Sequence, residues 1–374
     1  MIRKISVIAI LALTVSLTAC KTPRETAEEA QAIEEAQEVE QVIEQEVVQE
    51  EQVEEEIVSY FTGYPCTVEE QQHRPLAVML NNIKEGCPQS GTTEASIIYE
   101  CPVEGRITRL MGIFENYENV EKIGSIRSCR DYFVFLANEY DALYCHFGQA
   151  TPYVGYYLNS DDVDNLSGAV SGIDRPATNS FYRTPERKAP HNVYINREGL
   201  LSDIEKFGYR TTLRENYTSK FTFMDDGSAY KDDVSATVLY PGGKETGLSN
   251  GFSRVQARFE YNEADGKYYR FQYGDKHIDE VTGEQLAVDN VIFQYCHGEV
   301  RDDHDYLAFG CHGDNGYKVQ VFTKGKMKEG TWVRTEDGIP AKYYDLDGNP
   351  IPVSRGKTWV CIIWNDYADD VVIE

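Results

Sequence analysis

Residues 95–114, ASIIYECPVEGRITRLMGIF, contain two apolar runs on either side of the polar segment EGR. Isoleucine, valine, tyrosine and phenylalanine are frequent in both runs, and residues of this kind favour strands. Each run therefore predicts a strand. A further strand is predicted upstream, at PLAVMLNN, residues 75–82.

Helical periods alternate with these strands. SCRDYFVFLANEY, residues 128–140, has apolar residues at helical spacing, and DALYCHFG, residues 141–148, returns to a strand-like pattern. REGLLSDIEKFGY, residues 197–209, predicts a second helix that ends at a glycine. Strands that alternate with helices predict a layered α/β domain, which we place at residues 59–215.

The C-terminal half has a different sequence pattern. From about Lys220 onwards, short strand-like runs are separated by turns such as ADGK (264–267) and LDGN (346–349), which are hairpin signals. We predict a mostly antiparallel, β-rich domain at residues 216–374. The expected fold class is α+β, an N-terminal α/β layered domain followed by this β domain.

The N-terminus has the order of features found in a lipoprotein signal peptide. Arg3 and Lys4 precede an apolar stretch at residues 5–17, which has the length of a signal h-region and is too short to span a membrane. Leu17-Thr18-Ala19-Cys20 then resembles the bacterial lipobox, in which the cysteine is lipidated. We expect residues 1–20 to be the signal and Cys20 to carry the anchor on the extracytoplasmic face of the bacterial cell membrane.

Residues 21–58 form a strongly acidic segment. Fourteen glutamates stand against Lys21 and Arg24, which gives a net charge of −12, and the segment has no glycine or aromatic residue. Such a composition predicts a mostly disordered tether, with a solvated helix in places as the alternative. The whole chain of 374 residues carries −26. This charge argues against nucleic acid as a partner, because nucleic-acid binding requires excess positive charge.

Nine cysteines are present, and eight remain when Cys20 is set aside. An even number outside the cytoplasm permits disulfides. A chain of this length builds its own core, however, and several of these cysteines lie in apolar runs such as ALYCHF and WVCIIW. We expect most of them to be reduced core thiols, with one or two bridges as the alternative.

Long stretches resemble the YerB-like lipoprotein family. The resemblance rests on RPLAVMLNN, PQSGTTEASIIYECPVEGRITRLMGIF and KIGSIRSCRDYF, and in the second half on YYRFQYGDKHIDEVTGEQLAVDNVIF and GTWVRTEDGIPAKYYDLDGNPIPVSRGKTWVCII. It covers nearly all of residues 74–363. The resemblance implies a bacterial lipoprotein with two domains of unassigned function, and it assigns no catalytic residue.

Two arginines flank the predicted helix start in IGSIRSCRDYF, residues 123–133. Arg127 precedes Ser128, the predicted N-cap, and Arg130 lies in the predicted first turn. A helix N-terminus already favours anions, so guanidinium groups beside it indicate a bound phosphate or carboxylate.

The preceding strand adds Arg106 and Arg109, which we expect on opposite faces, so that only one of them shares the side of Arg130. The alternative to a bound anion is internal neutralisation by acids that are near in sequence. These are Glu100, Glu104, Glu115 and Asp131.

Polar residues follow the first predicted strand. Asn81 and Asn82 end it, and the PQSG loop adds Gln89 and Ser90. Ligands of layered α/β folds meet loops beyond the carboxyl ends of strands, so these side chains could line a cleft with Arg130. The alternative is a strand cap followed by a plain turn. His191, in APHNVYIN, is a weak candidate acid/base or phosphate donor, and otherwise a buried loop anchor.

The C-terminal half offers histidines without a clear site. His277 and Asp279 lie two residues apart, as in a dyad, but no nucleophile can be assigned to them, and a polar cluster at a hairpin is the alternative. Cysteine and histidine are adjacent at 296–297 and at 311–312, which places the two side chains of each pair on opposite faces of a strand. CxxC spacing is absent, and we predict no metal and no cofactor.

Three functions remain open on this basis. The first is a surface lipoprotein that binds an anionic envelope ligand or a partner protein through an arginine-lined cleft. The second is an envelope hydrolase or transferase that uses His191 as acid/base. The third is a scaffold without a small ligand.

Overall fold

A computed structural model describes residues 56–168, 178–311, 316–335 and 338–374. The predicted signal peptide, Cys20 and residues 21–55 of the predicted tether lie outside the described residues. Among the described residues, no helix has the length and apolar character needed to cross a bilayer.

The helices are α1 (Val68–Gln72), α2 (Asp131–Asn138), α3 (Thr151–Leu158), α4 (Arg197–Phe207) and α5 (Gly251–Val255). The strands are β1 (Leu76–Leu80), β2 (Ile97–Val103), β3 (Ile107–Phe114), β4 (Leu143–Phe147), β5 (Asn165–Gly168), β6 (Phe181–Arg183), β7 (Val193–Ile195), β8 (Thr222–Met224), β9 (Val234–Ser235), β10 (Val238–Tyr240), β11 (Arg258–Asn262), β12 (Lys267–Gln272), β13 (Asp275–Lys276), β14 (Ala287–Val288), β15 (Asn290–Cys296), β16 (Gly298–Val300), β17 (Leu307–Phe309), β18 (Tyr317–Thr323), β19 (Lys326–Val333), β20 (Lys342–Asp345), β21 (Pro352–Ser354), β22 (Thr358–Trp364) and β23 (Val372–Ile373).

A large sheet joins both halves of the sequence. Within the described residues its strand order is β20-β19-β18-β15-β22-β2-β3-β1-β4-β5, with β9 paired to β19. Strand β2 of the N-terminal half pairs in parallel with β22 of the C-terminal half, from Ile97 opposite Thr358 to Glu100 opposite Cys361. Residues 57–374 consequently form one compact unit. The α+β fold class is confirmed.

Both faces of this sheet are covered, which explains its continuous apolar strands. Every residue of β1 and β2 is buried. Tyr99 and Met111 pack into the core on the side of α2 and α3. Ile98 and Leu110 pack into a second core, on the side of α4, α5 and the smaller antiparallel sheet of β10, β11 and β12.

The prediction that Ser128 caps the helix is wrong. Helix α2 begins at Asp131, and its N-cap is Arg130, which makes no side-chain capping bond. The residues before it run extended between the ends of two strands. The Arg127 N–H donates to Met79 O (3.0 Å), the Phe147 N–H donates to Arg127 O (3.0 Å), and the Cys129 N–H donates to Gly148 O (3.0 Å). These sheet-like bonds hold the chain extended where the local pattern favours a helix turn.

Candidate functional site

The carboxyl ends of β1 and β4 lie at one edge of the large sheet, because these two strands run parallel. The extended segment 124–129 fills the space between them. This segment carries Arg127 and Ser128, and β3 brings Arg109 to the same place, where its Nη1 donates to Ser128 O at 2.8 Å. The strand edge therefore brings together three of the predicted site residues.

Arg130 does not join them as a free cation. Its Nε donates to Glu104 Oε2 at 3.0 Å, its Nη2 is bonded to Glu104 Oε1, and its Nη1 donates to Cys129 O at 2.6 Å. The Tyr306 ring lies 5.5 Å from the guanidinium carbon. For Arg130 the alternative of internal neutralisation therefore applies, and its role as a ligand-binding residue is corrected to that of an ion-paired N-cap.

Arg106 lies apart from the other arginines. It sits exposed in the turn between β2 and β3 with a backbone φ of 54°. It contributes to the wall of a separate cleft of 200 Å³, together with Trp364 and Tyr367. That only one of Arg106 and Arg109 shares the side of Arg130 stays a prediction.

Arg109 and Arg127, which we call the arginine pair, are two guanidinium groups at this edge that lack an acidic partner among the described residues. Arg109 is 6 % exposed, and Ser128 O is its hydrogen-bond acceptor. Arg127 makes only a long bond to Pro190 O (3.4 Å), and its Nε is buried without a partner. Within the described part of the chain, neither group forms an ion pair.

The electrostatics of the arginine pair are unfavourable as the groups stand. Burial, and after it the positive charge of Arg109, lowers the pKa of Arg127 to about 10. Burial also lowers the pKa of Arg109. Both guanidinium groups remain charged at neutral pH, so two like charges share a partly desolvated site.

His191 borders the same edge. Its Nδ1 lies 3.0 Å from the Asn81 amide nitrogen. Because the amide N–H can only donate, Nδ1 accepts, and the neutral ring carries its proton on Nε2. Burial, followed by the charge of Arg127, lowers the pKa of His191. The described residues place no serine or cysteine in hydrogen-bond contact with this ring.

Asn82, Gln89 and Ser90 serve an internal network instead of a cleft with Arg130. The Asn82 amide donates to Thr108 Oγ1 (2.8 Å) and to Glu100 Oε1 (3.3 Å), on the opposite face of the sheet from Asn81. The Gln89 amide donates to Asn81 O at 2.7 Å and to Asn82 Oδ1 at 3.1 Å. The idea of one shared cleft is thus corrected.

The same network joins the two sequence halves. Gln89 Oε1 accepts from His277 Nε2 at 2.7 Å, and the Ser90 hydroxyl is bonded to Glu280. Asp279 accepts from the Thr92 hydroxyl at 2.8 Å. His277 and Asp279 are therefore separate members of a buried polar cluster at a hairpin, and each has its own partner.

Glu100 and Arg270 form the centre of this network. Arg270 Nη2 donates to both carboxylate oxygens of Glu100, at 3.0 and 2.9 Å, and the Trp359 indole N–H donates to Glu100 Oε2 at 3.1 Å. Both charged side chains are at most 1 % exposed. The sequence signal for this pair is a charged residue inside an apolar strand pattern, as in IIYECPV and YYRFQY.

Across the described ranges, no group of three or more His, Cys, Asp or Glu residues is arranged to hold a metal ion. His312 of the second Cys-His pair lies outside those ranges.

Two family models match consecutive parts of the chain. The first is described as "Protein of unknown function (DUF3048) N-terminal domain" and matches residues 61–210. The second is the C-terminal domain of the same family and matches residues 248–360. The chain is thus a two-part α+β protein of this class.

A relative from Bacillus subtilis (strain 168), named "Putative lipoprotein YerB", is 28 % identical over 81 % of this chain and 85 % of its own length. The crystal structure of YerB protein from Bacillus subtilis superimposes with a TM-score of 0.70 at 26 % identity, over 85 % of this chain and 99 % of that one. This chain belongs to the YerB-like family.

Proposed function

We propose that this protein is a lipoprotein, anchored through Cys20 to the extracytoplasmic face of the bacterial membrane, whose folded part binds an anionic envelope ligand at the arginine pair. The observation that carries the binding proposal is a pair of guanidinium groups without a carboxylate, the buried Arg109 and the half-buried Arg127, whose charges repel each other. A bound anion would offset the repulsion between Arg109 and Arg127 and supply acceptors for their free N–H groups.

The anchor is supported by the order of charge, apolar stretch and cysteine at residues 1–20, and by the name of the Bacillus subtilis relative. Cells fed an alkyne fatty acid should label the wild-type chain and leave Cys20→Ser unlabelled, because the thiol is the acylation site. Equal labelling of the two chains would contradict the assignment of Cys20.

The ligand class follows from the groups that are present. Two forked guanidinium donors suit the oxygen atoms of a planar carboxylate or a tetrahedral phosphate, and the neutral His191 adds an N–H donor at Nε2. The Asn81 amide fixes the tautomer of that ring. The described residues place no activated nucleophile at this edge, so binding and not hydrolysis is proposed.

Phosphate is expected to raise the thermal midpoint of the purified wild-type chain, and Arg127→Gln is expected to abolish that shift. A ligand at 100 times its Kd adds about 2.7 kcal/mol to the free energy of unfolding, which a thermal melt detects readily. Inorganic phosphate, polyprenyl phosphates and muropeptides are the probes.

Arg197→Gln is the matched control, because Arg197 is exposed and bonds only to Glu118 O among the described residues. It should retain the full phosphate shift. A shift of equal size in Arg127→Gln, or no shift with any of the probes, would rule out the arginine pair and favour a scaffold.

A further inference from the structure

Two cysteines face each other at the base of the β16–β17 hairpin. The Sγ atoms of Cys296 and Cys311 are 3.9 Å apart, and both side chains are fully buried. Across the described residues all eight cysteines are free thiols, and this is the pair whose sulfur atoms are in contact.

The register of the hairpin, continued beyond its last paired residues, leads to these two cysteines. Gly298 pairs with Phe309, and the Gly310 N–H donates to His297 O at 2.9 Å. One position further, this register would set Cys296 opposite Cys311, although the Cys311 N–H turns back to donate to Phe309 O at 2.8 Å. Opposed residues without backbone hydrogen bonds between them have Cα atoms about 4.5 Å apart, which lies within the range of disulfides.

We propose that Cys296 and Cys311 form a disulfide in the mature protein. The two sulfur atoms would have to approach from 3.9 Å to about 2.05 Å, a movement that side-chain rotation at fixed backbone register can supply. An oxidising compartment outside the cytoplasm would maintain the bond, and this part of the argument rests on the proposed location.

The bond forms by thiol–disulfide exchange with a disulfide-bearing donor. One cysteine thiolate attacks the donor disulfide and releases a donor thiolate, which leaves a mixed disulfide. The second cysteine thiolate attacks the protein sulfur and releases the other donor thiolate. The two cysteines lose two protons and two electrons, and the donor gains them as two thiols.

The burial of both thiols determines when this happens. A donor cannot reach sulfur atoms that are 0 % exposed, so the exchange belongs to folding and not to the finished surface. The closed loop would tie the hairpin to β15. The loop of the same hairpin contacts the start of α2: Arg301 pairs with Asp131 at 2.6 Å, and the Tyr306 ring lies over Arg130. The disulfide would therefore also hold this loop against the start of α2.

Peptide mapping tests the proposal directly. The full chain is unfolded, reduced, refolded with reduced and oxidised glutathione, alkylated and digested with trypsin. Cleavage after Lys276, Arg301 and Lys318 separates the two cysteines. We expect residues 277–301 linked to residues 302–318, with a mass that lacks two hydrogen atoms and separates into two peptides on reduction.

The oxidised chain should also unfold at a higher urea concentration than the reduced chain. Cys311→Ala should lose this difference, and Cys145→Ala, at another buried thiol, should keep it. Cysteines 296 and 311 both alkylated after oxidative refolding, or Cys311 linked to Cys101 instead, would overturn the inference. This refolding result is independent of whether Cys20 is lipidated, so failure of the anchor and failure of the bridge can be told apart.

Discussion

Glu139→Gln is expected to lower the free energy of unfolding by about 3–5 kcal/mol, because it leaves the buried Lys220 ammonium without its anion. Glu139 Oε2 lies 2.5 Å from Lys220 Nζ, and both side chains are 0 % exposed. Arg334 Nη1 lies 3.6 Å from Oε1, too far for a hydrogen bond but close enough for strong attraction in a buried site. Urea denaturation monitored by tryptophan fluorescence measures the loss.

The same site supplies its own second test. Lys220→Met in the Glu139→Gln background should recover part of the stability, because it removes the ammonium that has lost its anion, and the Tyr99 and Tyr343 rings already lie 5.6 and 5.2 Å from Nζ. As a surface control, Lys318→Met breaks a pair whose side chains are 44 % and 42 % exposed and should have no measurable effect. If Glu139→Gln and Lys318→Met lowered the free energy of unfolding equally, the buried pair would stabilise the fold no more than the exposed pair does.

Local patterns were sufficient for β1 to β4, whereas β5 and β6 of the same half were not predicted. The run Leu76–Leu80 is apolar throughout and is buried throughout, because cores cover both faces of its sheet. What no local pattern could predict is the pairing of β2 with β22, which joins residues 97 and 358. Any two buried parallel strands carry the same kind of apolar sequence, so the partner is chosen by the packing of the whole chain.

In the candidate site, too, a local pattern predicted some features and the packing of the whole chain decided the others. Residue type indicated a group of arginines near residues 127–130, but it could not show which of them has an internal partner. Glu104 reaches Arg130 from the turn between β2 and β3, and Arg127 finds no acid among the described residues. The Ser128 capping pattern failed because backbone hydrogen bonds to the ends of β1 and β4 outweigh one side-chain cap.

His146 is expected to make the protein less stable as the pH falls below neutrality. Its ring is fully buried, Nδ1 lies 2.9 Å from Gly148 O, and Nε2 lies 2.9 Å from Ser167 Oγ. Burial lowers its pKa to about 4 from 6.5. Between these two pH values the unfolded chain binds a proton at His146 and the folded chain does not. The free energy of unfolding is therefore unaffected by His146 above pH 6.5 and falls by about 3 kcal/mol as the pH is lowered to 4.

His146→Gln should therefore flatten the curve of unfolding free energy against pH between 6.5 and 4, measured by urea denaturation at each pH. Part of the slope should remain, since burial and the charge of Arg270 lower the pKa of His277 in the same sense. His304→Gln, at an exposed ring, should reproduce the wild-type curve. If His146→Gln also keeps the wild-type slope, the imidazole must accept its proton inside the fold, and its burial would then impose no penalty on the charged form.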